Sequence, residues 1–165
     1  LKLMGAKIEV TNLKNYGPET VGDIVVRSSQ LKGIDIPKKY IASAIDEFPI
    51  LFIAAANASG KTVLKNAEEL KYKESNRLLA MSKGLLMCKI SNKLYDDGIE
   101  IDGGSISGAI IDSFGDHRIA MSFAIAGLIS KAPITILNTE NISTSFPEFF
   151  NLIKGMGLKI KRENI

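Results

Sequence analysis

Three fixed cations, Lys73, Arg77 and Arg118, sit in two short segments that also hold the only histidine: Lys71-Tyr72-Lys73-Glu74-Ser75-Asn76-Arg77 and Asp116-His117-Arg118. A guanidinium stays charged and presents a fork of N–H donors that fits carboxylate or phosphate bidentately. Glu74, set among these cations, is a candidate proton carrier. Together they can hold a small polyanion while a proton moves. Each residue also has an ordinary reading. A single arginine at a helix start is commonly a solvated surface group, Glu74 would favour a helix dipole, and a lone histidine is more often structural than catalytic. Asp46, just ahead of Glu47 and Pro49, serves as well as a helix cap as it would as a base.

The elements that must position these residues repeat. Asp46, Ala54, Ala56, Lys61, Ser75, Lys89 and Ile90 recur as Asp116, Ala124, Ala126, Lys131, Ser145, Lys159 and Ile160, always 70 positions on. Residues 48–58 and 119–129 are apolar on nearly all sides, as expected of helices inside a core. Each follows an acidic residue suited to a helix N-terminus and precedes a β-branched run, Thr62-Val63-Leu64 or Ile134-Thr135-Ile136-Leu137. Ser75 and Ser145 are predicted to cap a second, amphipathic helix. Leu78, Leu79, Leu85 and Leu86 face inward from the first such helix, Phe149, Phe150, Leu152 and Ile153 from the second. A short Lys-Ile strand closes each copy. Strand-like segments precede each buried helix: 24–26 with 33–36, and 99–101 with 108–111.

The predicted fold class is therefore α/β, with repeated strand–helix units sharing one core. Two units, at about 9–90 and 91–160, form a single partial lobe over 1–165, and residues 1–8 read as the tail of a preceding unit. Parallel buried helices would bring Asp46, Glu47, Ser75, Arg77 and residues 116–118 to one rim, with free N–H groups that favour anions.

Composition limits the alternatives. A 45% hydrophobic, 24% charged chain of 165 residues is an ordinary globular domain. No apolar run reaches the roughly 18 residues of a membrane span. The net charge of +3 is modest, and the basic clusters Lys38-Lys39 and Lys159 to Arg162 lack interleaved aromatics, so neither nucleic acid nor membrane is expected as a partner. Cys88 is the single cysteine and reads as a small buried residue. No second histidine, cysteine pair or carboxylate cluster stands at ligand spacing, so no metal is expected. Gly103-Gly104 lacks the residues of a nucleotide-binding loop.

The segments Lys-Tyr-Lys-Glu-Ser-Asn-Arg-Leu and Gly-Asp-His-Arg-Ile-Ala-Met resemble signature segments of the 5-enolpyruvylshikimate-3-phosphate synthases, and the resemblance runs over nearly the whole chain. It implies a two-lobed enzyme in which each lobe holds three βαβαββ units around buried parallel helices, with this chain supplying the last two units of one lobe. The implied reaction moves the enolpyruvyl group of phosphoenolpyruvate to the 5-hydroxyl of shikimate 3-phosphate, without metal or organic cofactor, in the cytoplasm. Arg77 and Arg118 would then hold phosphoenolpyruvate, and Lys73 the shikimate 3-phosphate side. Glu74 would carry the proton of the methylene carbon, and Asp46 that of the attacking hydroxyl. His117 and Asn76 are placed one layer behind these contacts.

Position 76 is Asn where the family more often has Asp, and Thr144 stands where some members carry a lysine that binds phosphoenolpyruvate. The second departure is similar to the branch less sensitive to glyphosate. A chain opening at Leu1 in mid-element reads as a C-terminal fragment, expected to be inactive without the N-terminal lobe. Two other readings stay open. One is the enolpyruvyl transferase of the same architecture that acts on UDP-N-acetylglucosamine. The other is a non-catalytic repeat module that binds a partner.

Overall fold

The structure, a computed structural model, describes residues 1–161; Arg162 of the second basic cluster lies outside them. A single turn at Lys2–Met4 leads into a long antiparallel hairpin of β1 (Lys7–Tyr16) and β2 (Glu19–Arg27). Asn12, at φ 52°, marks a bulge where the register slips between Thr11 and Lys14.

The segment after β2 and the helix α1 (Phe48–Ala56) lead to β3 (Lys61–Leu64). Residues 33–36 do not form the full strand expected of them. They touch the β3 segment only through parallel bridges, Lys32 to Ser59 and Asp35 to Val63. Helix α2 (Arg77–Met87) follows, then a hairpin of β4 (Asn92–Tyr95) and β5 (Gly98–Asp102), with β5 antiparallel to β3. The second passage is β6 (Ala109–Asp112), α3 (His117–Ala126) and β7 (Ile134–Leu137), with β6 parallel to β7. Parallel neighbours need a crossover of this length, and α3 supplies it. The short helices α4 (Asn141–Ser145) and α5 (Phe149–Gly155) follow.

Every residue of α1 is apolar, and Phe48, Phe52, Ala55 and Ala56 are wholly buried. A helix without a polar face has no reason to lie at a surface. Helix α3 packs beside it, burying Ile119, Phe123 and Ala126 in the same core as Leu64, Met81, Leu85 and Ile101. Close approach of α2 to α3 depends on Gly84, where an added Cβ would lie 2.3 Å from the Phe123 ring. Cys88 is fully buried, as expected, and desolvation pushes its thiol pKa up.

Several local expectations are corrected. Asn76, not Ser75, caps α2, accepting a hydrogen bond from Leu79 N at 3.1 Å. Ser145 ends α4 rather than opening a helix, because Pro147 disfavours helical backbone just before it and α5 starts beyond. Lys89-Ile90 is a turn, with Lys89 at φ 63°, and the strand begins at Asn92; Lys159-Ile160 is not a strand either. Leu78 and Leu85 face inward, but Leu79 and Leu86 do not, since the buried stripe of α2 runs through Leu78, Met81, Ser82 and Leu85. Likewise Phe149 and Ile153 are buried while Leu152 is exposed.

Candidate functional site

Asp116 organises the rim. Fully buried, it caps α3, with Oδ1 accepting from Arg118 N at 2.9 Å and Ile119 N at 3.4 Å. Its Oδ2 accepts from Arg77 Nε at 2.9 Å and from Ser75 Oγ at 3.0 Å. Burial alone would raise the Asp116 carboxyl. The Arg77 guanidinium, the Ser75 hydroxyl and the Arg118 N–H outweigh it and hold it below the ordinary carboxylate range.

Arg77 opens α2 and is 2% exposed. Its three nitrogens serve three carboxylates: Nε bonds Asp116, Nη1 donates to Asp46 Oδ1 at 2.9 Å, and Nη2 donates to Glu74 Oε2 at 3.1 Å. A buried cation needs this degree of pairing, because an unmatched one would lose its charge or leave the core. Burial opposes the charge on Arg77, but Asp116 and Glu74 more than restore it.

Asp46 and Glu74, the two candidate proton carriers, are thus held on the two terminal nitrogens of one guanidinium. Both remain about half exposed. Glu74 Oε2 also takes His117 Nδ1 at 3.0 Å, leaving Oε1 without a partner among the described residues. Asp46 Oδ1 lies 3.6 Å from Lys73 Nζ. Desolvation would raise the Asp46 carboxyl, yet the Arg77 hydrogen bond and the charges of Lys73 and Arg118 keep it low.

Lys73 is also bonded to Glu69 at 2.5 Å, which raises its ammonium pKa. Arg118 donates through Nη1 alone, to Asp46 O at 2.9 Å and Glu47 Oε1 at 3.0 Å, so among the described residues Nη2 and Nε are uncommitted. A groove of about 300 Å³ opens beside it, between Asp46, Ile50, Arg118, Met121 and Phe146. The three cations at this rim face five carboxylates: Asp46, Glu47, Glu69, Glu74 and Asp116.

The structure brings together Asp46, Lys73, Glu74, Arg77, His117 and Arg118. Asn76 stands apart as the α2 cap, and Thr144 is exposed on α4. Sequence reasoning missed the central part of Asp116 and the partners Glu69 and Glu47. Glu69 was signalled by its spacing four residues before Lys73, and Asp116 by its repeat relation to Asp46. Glu74, Asp116 and His117 place ligand-type atoms within 4.8 Å of one another, but the Arg77 guanidinium is already the cation bonded to both carboxylates. Among the described residues no helix is long and apolar enough to cross a membrane.

Strand–helix–strand passages that gather acids and bases at neighbouring helix starts define an α/β chain with a clustered site of ionisable groups. Comparison with known proteins makes the class specific. The model of EPSP synthase (3-phosphoshikimate 1-carboxyvinyltransferase) matches residues 1–153, and the chain belongs to that family. The 3-phosphoshikimate 1-carboxyvinyltransferase of Legionella pneumophila (strain Corby) is 57% identical over 146 residues, covering 88% of this chain and 34% of the relative. That of Coxiella burnetii (strain RSA 331 / Henzerling II) is 48% identical over 161 residues, covering 98% and 37%. EPSP synthase from Acinetobacter baumannii superposes with a TM-score of 0.96 at 46% identity, over 99% of this chain and 39% of that one. The chain therefore spans between 34% and 37% of the length of these curated relatives. Its fold is α/β, and the matched family is the shikimate one rather than the UDP-sugar one.

Proposed function

We propose that this chain provides two repeat units of a lobe in an enzyme that transfers the enolpyruvyl group of phosphoenolpyruvate to the 5-hydroxyl of shikimate 3-phosphate, releasing phosphate. The reading places it in the cytoplasm, in aromatic amino-acid synthesis. One observation carries it: Arg77 holds Asp46 and Glu74 side by side at a junction of three helix starts. The reaction needs two proton movements at neighbouring atoms. Asp46 accepts the hydroxyl proton as the oxygen attacks C2 of phosphoenolpyruvate, and Glu74 delivers a proton to C3. In the second half Glu74 takes a proton back from C3 as the bond to the phosphate oxygen breaks. The proton on Glu74 belongs at Oε1, since Oε2 already accepts from Arg77 and faces His117 Nδ1 at 3.0 Å. Arg118, with two uncommitted nitrogens, is the readiest anion contact; Lys73 and Arg77 add field and positioning.

Both substrates are anions, and the rim carries more acid than base. Their binding calls for further cations from a facing lobe, the partner this reading requires. The chain alone is accordingly expected to show no turnover. The test is phosphate release from phosphoenolpyruvate plus shikimate 3-phosphate, with this chain mixed with the N-terminal portion of a full-length relative. Glu74→Gln is the control, since it keeps an acceptor for Arg77. Release that needs both pieces and collapses in the control supports the reading. No release from folded, associated pieces refutes it.

A further inference from the structure

Asp116, His117 and Arg118 are delivered by a turn that the backbone would not adopt unaided. Phe114, at φ 55°, and Gly115, at φ 71°, are both left-handed, and for a bulky side chain such as Phe114 that conformation is disfavoured. The turn closes directly on the rim, since Asp116 N donates to Ser113 O at 3.0 Å. Contacts from outside residues 113–116 have to hold it.

Asn138, just beyond β7 and 26 positions from Asp112, does so at two points. Its Nδ2 donates at 2.8 Å to Asp112 Oδ1, the same oxygen that accepts from Phe114 N at 2.7 Å. Its carbonyl accepts at 2.6 Å from Oγ of Ser113, a fully buried residue. Asn138 is itself left-handed, at φ 59°, which asparagine tolerates better than most residues. Asn141 adds a bond from Nδ2 to Gly115 O at 2.5 Å. The first passage has a left-handed asparagine too, Asn66 at φ 58°, but its N–H serves Asp97, beside the β4–β5 hairpin. The shared backbone habit does not by itself make the brace; the side chains at 112, 113 and 138 do.

We infer that Asn138 is a positioning residue: by fixing the 112–115 turn it sets where α3 begins, and so how Arg118 and His117 stand at the rim. It acts through Asp112 and Ser113. Arg118 and His117 are both only partly buried, and each is placed by the backbone of the first turn of α3. A shift of that start moves the uncommitted Arg118 nitrogens and the 3.0 Å contact of His117 with Glu74 together. The bearing of Asn138 on turnover rests on the function proposed above, with Arg118 as an anion contact.

The pair can be broken and remade. Asn138→Asp sets one carboxylate against another at Asp112, whereas adding Asp112→Asn transposes donor and acceptor. The amide at 112 then still accepts from Phe114 N through its oxygen and donates to the carboxylate at 138. In the reconstituted enzyme Asn138→Asp should raise KM for phosphoenolpyruvate by about ten- to a hundredfold, with kcat changed far less. The transposed pair should recover most of that loss. Asp112 and Asn138 are exposed, so the urea midpoint should move little in either variant; a residue needed only for stability would move the melt instead. His117 is the only histidine, so its imidazole Cε1–H signal in an isotopically labelled chain reads the α3 start without any turnover. That signal should shift in Asn138→Asp and return in the double variant. If it does so while the wild-type enzyme releases no phosphate, the proposed reaction fails and the positioning stands. A His117 signal untouched by Asn138→Asp overturns the inference. So does an unchanged KM in an active enzyme, or a KM effect that the transposed pair leaves in place.

Discussion

Replacing Arg77 by Met keeps the bulk of the aliphatic stem and removes the guanidinium, which isolates its contribution. Asp46 and Glu74 are about half exposed and can turn to water, so their loss is small. Asp116 cannot: it is fully buried and keeps only Ser75 Oγ and two backbone N–H groups. Breaking a buried pair from one side costs about 3–5 kcal/mol, a large share of the roughly 5–15 kcal/mol that holds a domain folded. Urea unfolding at neutral pH should show a loss of that size for Arg77→Met. The loss should then shrink in acid. In the wild type the Asp116 pKa is depressed, so its contribution is complete above the unfolded carboxylate pKa and fades as pH falls through the folded value. In the variant burial is no longer opposed by Arg77, the carboxyl protonates at higher pH, and the buried charge disappears. Arg77→Met with Asp116→Asn should recover much of the loss at neutral pH. A cost near 1 kcal/mol, the scale of a surface pair, or a loss flat in pH, would refute the view of Arg77 as a clamp on a buried charge.

Four further outcomes follow from the same geometry. Glu74→Gln in the reconstituted enzyme should lower kcat by about 10²–10⁴-fold while moving stability by less than about 1 kcal/mol, read by phosphate release and urea melts. Gly84→Ala should destabilise by about 1–2 kcal/mol in the same melts, as the Phe123 clash outweighs the better helix propensity of alanine. Cys88 should resist thiol reagents in the native chain and react on unfolding, because burial raises its pKa and blocks access. Stability of the wild type should fall below about pH 4, as Asp46, Asp116 and Glu100, all held low in the fold, take up protons.

The buried helices were legible because runs such as Phe48–Ala56 leave no polar face, and Asp116 announces a helix start by its type alone. The strands β3, β5, β6 and β7 were visible from β-branched runs. The second helix caps were not, since Ser75 and Asn76 are both good caps and only the pull of a buried carboxylate decides between them. The site was read as a set of candidates with an unseen arrangement. Nothing local to Arg77 says that it lies buried, because its partners Asp46 and Asp116 come from 31 and 39 positions away. A charged side chain is buried only where separate segments bring matching charge, and that is a property of the fold.

Asp46, two residues before α1, and Asp116, the cap of α3, grip the same arginine. The fold gives the same residue type different freedoms at these two places. One became a locked internal strut, unable to change without unseating its helix. The other kept an open flank, and so stayed available for chemistry.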